Sequence, residues 1–292
     1  QLHARMLGVS DFQALVPEEH RGHLSHRQSA VALVPAVGYT LPEETLRELL
    51  AGGAYVLKIK IGHAGDEAQM LGKDIEWLDR IHALAAGFET DMTESGRVLY
   101  YLDANGRYGR KDSMARLLEH CEHKGYLDRV ILVEEPYSLP DETDVHGLPA
   151  RFAGDESVES EADVAARVEQ GYGAFAIKTA GKTVSRCFRL VEAALEAGAT
   201  AFVADNACVP AMVAWNLNFA ARLPAFPGVS GGIMESNGPE NYAHWDRLLA
   251  ELSSSDAPWL RARRGAFRLG EDYYAAGGGI FETPESYSRL FA

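Results

Sequence analysis

A closed α/β barrel of eight parallel strands is the architecture this sequence predicts, with a doubly wound open sheet as the alternative. Three observations predict it. Short runs rich in β-branched and aromatic residues alternate with amphipathic helical segments from about residue 31 to residue 252. Eight such runs occur, and nearly every one ends in a polar residue. The polar ends Asp103, Glu134, Asp155, Lys178 and Asp205 follow one another at 31, 21, 23 and 27 residues, one strand-plus-helix unit each time. In a closed barrel the C-terminal strand ends converge on one face, so residues far apart in sequence share a single pocket.

The elements read in order as strands over 31–39, 55–61, 98–103, 130–134, 151–155, 174–178, 200–205 and 229–234. Helices fall between them over 42–51, 66–86, 112–124, 161–170, 184–197 and 210–222. Several open on a Ser, Thr or Asp cap or an early Pro. The segment 87–97 is polar and turn-rich and reads as an insertion before the third strand. Residues 1–29 and 253–292 lie outside the barrel count and are expected to pack on its exterior or against a second small domain. No internal repeat, low-complexity tract or long linker interrupts the chain. The Gly277-Gly278-Gly279 run lacks the helix that a phosphate loop requires and reads as a turn.

Composition narrows the function classes. A chain of 292 residues with 47% hydrophobic content can build one large α/β domain. Its 28 Lys and Arg against 42 Asp and Glu give a net charge of -14, which argues against nucleic acid or an anionic membrane as partner. A small anionic substrate remains compatible, because local fields in a pocket can oppose the net charge. Cys121, Cys187 and Cys208 are few and widely spaced, with no C-x-x-C pair, so neither a disulfide framework nor a zinc cluster is indicated. No apolar run approaches the roughly 20 residues that span a bilayer, and no signal pattern follows Gln1. The expectation is a soluble cytoplasmic protein. With Gln rather than Met first, residues upstream of this sequence are expected.

Several residues carry chemistry. Lys58 and Lys60 sit in Tyr-Val-Leu-Lys-Ile-Lys-Ile, where a period of two puts both on one side of the strand. Solvated lysines on an exposed strand are the alternative, but the apolar neighbours favour a buried one. Two ammonium groups brought together depress each other's pKa, which makes a lysine a usable base near neutral pH. Asp103, Glu134 and Asp155 each close an apolar run. Any one alone suits a cap or turn. Three hard oxygen ligands at one point repel strongly unless a cation neutralises them, and oxygen-only ligation favours Mg2+ or Mn2+ over Zn2+. Glu135 and Glu156 follow their partners directly and would point away on a continuing strand; with Asn105 they are candidates for supporting roles. Lys178 ends Ala-Phe-Ala-Ile-Lys, roughly opposite the second strand around the ring. A substrate bound between Lys60 and Lys178 could lose a proton on one face and regain it on the other. Lys182 reads as a helix-start or phosphate-like contact. Asp205, Asn206 and Glu235 fall at strand ends on the same face and are candidate substrate contacts, with capping or turn roles as the alternative. His20, His23, His26, His63 and His146 show no metal-ligand pairing, and Trp215, Trp245 and Trp259 read as core.

The series K-x-K, D-x-N, E-E-P, D-E-S and I-K-x, in this order and spacing, resembles the enolase superfamily, in its mandelate racemase/muconate lactonizing enzyme-like, two-lysine branch. The resemblance covers about residues 31–252. It implies a (β/α)7β TIM-like barrel over residues 30–252, with residues 1–29 as the end of an N-terminal α+β capping domain and 253–292 as a tail on barrel or cap. It implies magnesium, or manganese, held by Asp103, Glu134 and Asp155. It makes Lys60 and Lys178 the acid/base pair, with Lys58 binding a carboxylate or tuning Lys60. The expected activity is removal of the proton α to the carboxylate of a small substrate, giving a metal-stabilised enolate that leads to epimerisation or racemisation, or to β-elimination as in a dehydratase or lyase. A non-catalytic carboxylate-binding barrel and an unrelated Schiff-base aldolase barrel are the alternatives. The seventh-strand region has no histidine of the mandelate-racemase kind, and the eighth lacks the Asp-x-Asp with which dipeptide epimerases hold an ammonium. A homo-oligomer is compatible with such a barrel, although no interface signal stands out.

Overall fold

A side-chain period of two sorts each strand of this chain into an inner and an outer set, and that sorting builds the barrel. The computed structural model describes residues 6, 8–204, 208–283 and 289. Its strands are β1 (Ala30–Val34), β2 (Ala36–Val37), β3 (Val56–Lys60), β4 (Leu99–Asp103), β5 (Val130–Glu134), β6 (Phe152–Gly154), β7 (Ala174–Ile177), β8 (Thr200–Val203), β9 (Gly232–Glu235) and β10 (Ala266–Arg268). From β3 to β9 each strand pairs in parallel with its successor.

The first run, expected as one strand, is interrupted at Pro35, which has no N–H to give to a ladder. Its first half, β1, pairs in parallel with β9, and its second half, β2, pairs in parallel with β3. The Pro35 carbonyl accepts from the Lys58 N–H at 3.0 Å. This change of neighbours closes an eight-stranded ring. β10 then adds to β1 in antiparallel fashion from outside the ring.

The helices α1 (Glu43–Ala51), α2 (Glu67–Ala85), α3 (Lys111–His123), α4 (Glu161–Glu169), α5 (Val184–Glu196) and α6 (Pro210–Ala220) fall within two residues of the positions read from sequence. Local chemistry fixes their starts. Asp66 and Gln69 form a capping box on α2, Ser160 and Asp163 another on α4, and Pro210 opens α6. Outward residues such as Leu57, Ile59, Leu102, Val133, Phe175 and Ile177 pack between strands and helices. Inward residues such as Val56, Leu99, Tyr101, Leu132, Ala153, Ala176, Phe202 and Ile233 fill the ring. Small alanines make room for Tyr101 and Phe202, whose rings meet edge to face at 5.6 Å.

The eighth barrel strand was expected from residue 229 but begins at Gly232. The chain turns just before it: the Val229 N–H donates to the Phe226 carbonyl and the Phe226 N–H to the Gly231 carbonyl. Gly231 has φ +133°, in the region that favours glycine. The turn-rich 87–97 segment meets this turn at the N-terminal end of the ring, where Ser230 N–H donates to the Met92 carbonyl at 2.9 Å and Met92 joins the inner core. Ahead of β1, a helical turn at Phe12–Leu15 and a 3-10 helix at Glu18–Leu24 lie against α5 and α6, with Phe12 edge-on to Phe188 and Phe219. Beyond β10, the Tyr274 hydroxyl donates to the Gln28 and Ala221 carbonyls. Among the described residues no helix is long and apolar enough to cross a membrane.

Candidate active site

On strand after strand the inward series ends in a charged group: Val56, Lys58, Lys60; Leu99, Tyr101, Asp103; Leu132, Glu134; Ala176, Lys178. Register aligns three of these ends, because Lys60 lies opposite Asp103 and Asp103 opposite Glu134. Asp155 and Lys178 are the first residues after β6 and β7. The loop carrying Asp155 is braced twice. Its own N–H donates to Glu135 Oε2 at 2.7 Å, and the Lys182 ammonium donates to the carbonyls of Asp155 and Val158 at 2.8 and 2.7 Å. The expected helix-start contact at Lys182 is thus a buried brace. Glu135, at φ +38°, also accepts from the Ser157 hydroxyl, on the far side of the chain from Glu134.

The pocket is an alternating set of ammonium and carboxylate groups. Lys58 is buried, and its Nζ lies 2.9 Å from Asp103 Oδ2, 2.7 Å from Glu134 Oε2 and 2.8 Å from Glu235 Oε2. It also lies 4.9 Å from the centre of the Tyr101 ring, whose hydroxyl donates to Glu134 Oε2. Lys60, more open, donates to Asp103 Oδ2 and, at 2.7 Å, to Asn105 Oδ1. Lys178 pairs with Asp155 Oδ2, with Glu156 at 3.4 Å. Two lysines close together were expected to depress each other's pKa, yet Lys58 moves the other way. Burial opposes its charge, but Glu134, Tyr101, Asp103 and Glu235 together outweigh burial and hold it protonated.

The carboxylates divide in turn. Burial pushes Glu134 up, but Lys58 and the hydrogen bonds of its neighbours outweigh it and hold this carboxyl well below the usual range. Burial and the adjacent Glu134 charge raise Asp155 well above the usual range despite Lys178. Burial raises Glu235 against the pull of Lys58. Burial disfavours the Lys178 ammonium, yet Asp155 and Glu156 raise its pKa overall.

Within the pocket, Glu134 Oε1 and Asp155 Oδ1 are buried without a hydrogen-bond partner, the Lys182 ammonium standing 3.7 Å from the latter. Such orphans are costly unless something positive meets them. Ligand oxygens of Glu134, Asp155 and Glu156 lie within 4.8 Å of one another. This donor set fits a hard divalent cation. Glu156 joins it because β6 ends at Gly154, so the chain has left the strand and the alternation no longer turns Glu156 away. Asp103 stands apart from that group, since Lys58 and Lys60 take its Oδ2 and the Asn105 N–H donates to its Oδ1 at 3.0 Å. Asp205 and Asn206 lie outside the described residues. Sequence reasoning passed over Tyr101, which the same period of two that marks Lys58 places two residues before Asp103 and on its side. It also passed over Asp74, fully buried on α2, which accepts from the N–H groups of Gly62 and His63 and from the Tyr108 hydroxyl just beyond Lys60.

No protein-family model and no curated protein matches the chain. Solved structures do. A dipeptide epimerase from Methylococcus capsulatus, complexed with Mg ion, superposes with a TM-score of 0.59 at 25% identity, covering 76% of this chain and 60% of that one. A mandelate racemase/muconate lactonizing protein from Herpetosiphon aurantiacus gives a TM-score of 0.64 at 16% identity over 89% of this chain and 68% of that one. The L-Ala-D/L-Glu epimerase from Bacillus subtilis gives 0.59 at 17% identity, over 76% and 58%. The chain thus spans 60% of the length of the Methylococcus protein. In its ring of strands this chain shares the barrel fold of these dipeptide epimerase and mandelate racemase/muconate lactonizing enzyme-like structures.

Proposed function

We propose that this chain is the barrel of a magnesium-dependent isomerase or lyase that removes the proton α to the carboxylate of a small substrate. The observation that carries the reading is the placement of two lysines about a carboxylate cluster with unsatisfied oxygens. Lys60 ends β3 and Lys178 follows β7, four strands away in a ring of eight, so the two amines approach the centre from opposite sides. Glu134, Asp155 and Glu156 would hold the cation, and Mn2+ suits the same oxygen set; Asp103 would join them by giving up a lysine contact to the ion. Bound there, Mg2+ would supply positive charge against the charge that develops on the substrate carboxylate.

The chain's own residues supply the rest. Lys60, steadied by Asn105, takes the α-proton from one face. Lys178, held protonated beside Asp155, stands on the other face as the acid. It returns a proton for epimerisation or racemisation, or assists a β-leaving group in elimination. Lys58 remains an ammonium and adds fixed positive charge where the anion forms. The absence of an Asp-x-Asp at the eighth strand favours an acid without a free amine over a dipeptide. Cys121, Cys187 and Cys208 are buried and form no disulfide, which supports a reducing compartment such as the cytoplasm.

The test is deuterium exchange. The protein is incubated with Mg2+ in D2O and acid sugars, N-acyl amino acids and dipeptides, and α-proton loss is followed by NMR. Exchange that disappears with EDTA supports the reading and identifies the substrate class. No exchange from the Mg2+-loaded protein across the panel overturns it in favour of a binding barrel. Borohydride trapping of an adduct on Lys60 or Lys178 would replace it with Schiff-base chemistry.

A further inference from the structure

Strand β3 ends at Lys60, and its ladder gives one bond more, from the Ile61 N–H to the Asp103 carbonyl at 2.9 Å. Loops at such a point are usually the loosest part of a barrel. Here every backbone polar group from the Ile61 N–H to the His63 N–H is taken. The Tyr39 hydroxyl donates to the Ile61 carbonyl at 2.6 Å and Arg107 Nη1 to the Gly62 carbonyl at 3.0 Å. The N–H groups of Gly62 and His63 donate to the two oxygens of Asp74, at 2.7 and 3.2 Å. Gly62, at φ +91°, has the backbone shape that favours glycine.

Asp74 reaches this loop from α2 and is fully buried. A buried carboxylate is costly unless its lone pairs are met, and all its hydrogen-bond partners lie on two loops of the catalytic face. Oδ2 accepts from Gly62 and, at 2.6 Å, from the Tyr108 hydroxyl, while Oδ1 accepts from His63 and meets that ring at Nδ1. Burial, then the Asp74 charge, raises the Tyr108 pKa, so this hydroxyl keeps its proton and donates. Tyr108 belongs to the loop of Asn105, whose Oδ1 accepts from the Lys60 ammonium at 2.7 Å. That loop is tied back in turn, the Gly106 N–H to the Glu135 carbonyl and the Tyr108 N–H to the Pro136 carbonyl. One carboxylate therefore fixes both the exit of the Lys60 strand and the loop that carries the Lys60 partner. A buried ionic group is weak evidence for stability; what this one sets is the distance between two loops.

We propose that Asp74 is a positioning residue for proton abstraction: by clamping the β3 and β4 loops together it sets where the Lys60 amine stands relative to Asn105 and the substrate α-carbon. The inference rests on the reading of Lys60 as the base. Lys178 is held by other contacts, since it pairs with Asp155 and its carbonyl accepts from the Lys182 N–H at 2.7 Å. Asp74 accordingly acts on one face of the substrate only. A misplacement of about 1 Å costs about 100-fold in rate, so a loosened clamp shows in the chemistry before it shows in binding.

The experiment follows α-hydrogen exchange in D2O with Mg2+ by NMR, on both α-epimers of each acid in the deuterium-exchange panel. The parent chain is compared with Asp74→Asn and Tyr108→Phe, and the epimer that Lys60→Ala stops exchanging marks the Lys60 face. Tyr108→Phe removes a single hydroxyl and should fold even where Asp74→Asn does not, with circular dichroism as the check. The expected result for Asp74→Asn is a loss of about 10–100-fold at the Lys60 face, in kcat rather than KM. Tyr108→Phe should lose less, in the same direction. Exchange of the opposite epimer through Lys178, and Mg2+ affinity by calorimetry, should stay near parental. Where the parent exchanges the Lys60 epimer alone, unchanged Mg2+ affinity stands in for the second face. The inference is overturned if the folded variants exchange the Lys60-face hydrogen at the parental rate, or if they slow both epimers alike and weaken Mg2+ as a general loosening would. A parent that exchanges no acid, or a Lys60→Ala variant that keeps both exchanges, overturns the proposed role of Lys60 instead.

Discussion

The Lys58 ammonium, 2.7 to 2.9 Å from three carboxylates in a buried pocket, is the charge that keeps Asp103, Glu134 and Glu235 together before any cation arrives. A buried charge is tolerated only when paired, and removing one partner leaves the others uncompensated. Lys58→Met should therefore destabilise the protein in EDTA by about 3–5 kcal/mol. In saturating Mg2+ the loss should be smaller, because the cation shares the neutralisation. Urea unfolding under both conditions checks this, and an equal loss in each would mean that Lys58 and the cation act on separate groups. The acid/base pair behaves differently. Lys60→Ala and Lys178→Ala should each lower kcat by about 10²–10⁴-fold while Mg2+ affinity stays within a few-fold, read by turnover and by calorimetry. Near-parental turnover in either variant would remove that residue from its role. The K-x-K pair and the three strand-end carboxylates were legible because a period of two and an apolar run are local signals. The state of Lys58 was not. Its partner Glu235 lies 177 residues away, and only ring closure brings β9 back to β3 through β1 and β2.

Boundaries of helices and strands were legible for the same local reasons, and the misses mark where tertiary pairing took over. Pro35 splits an apolar run, because its first half hydrogen-bonds to β9 on one flank and its second half to β3 on the other. Gly232 rather than Val229 starts β9, because a turn claims the residues before it. Between α2, β4 and the 3-10 turn Leu127–Arg129 lies an interface that sequence did not mark as titratable. His82 stacks on Tyr126 at 4.4 Å, and its Nδ1 is 2.9 Å from the Tyr100 hydroxyl. Burial, then the Arg129 charge, lowers the His82 pKa below its usual value. The sign follows from linkage. The unfolded chain protonates this ring at about pH 6.5, before the folded one does. Stability from the neutral ring is present above that pH and is lost as pH falls through the folded value. Melting temperature should accordingly drop less between about pH 7.5 and 5.5 in His82→Gln than in the parent. Lost stacking would lower the variant at every pH and leave that slope untouched, so parallel curves would show that His82 is not the group responsible.

At the scale of the whole molecule, the ring makes a few strand-end residues answerable to the entire fold. The candidate cation ligands come from β4, β5 and the loop after β6, and the lysines that pair with them come from β3 and from the loop after β7. A cation at this point therefore ties together one continuous arc of the barrel. The other arc closes through β9 and β1, over a core filled by Tyr101, Phe202 and Ile233 from both sides. Inner side chains of the two arcs interlock, so neither can open while the other keeps its packing, and the barrel should unfold as a unit. Free Mg2+ at about 100 times its Kd adds about 2.7 kcal/mol by mass action. For a chain of this size that raises the melting temperature by about 5 °C. Calorimetric scans in EDTA and in Mg2+ should each show one transition, displaced as a whole. Two transitions, with only one moved by Mg2+, would show instead that the cation-bearing arc melts separately and that ring closure at Pro35 does not couple the two.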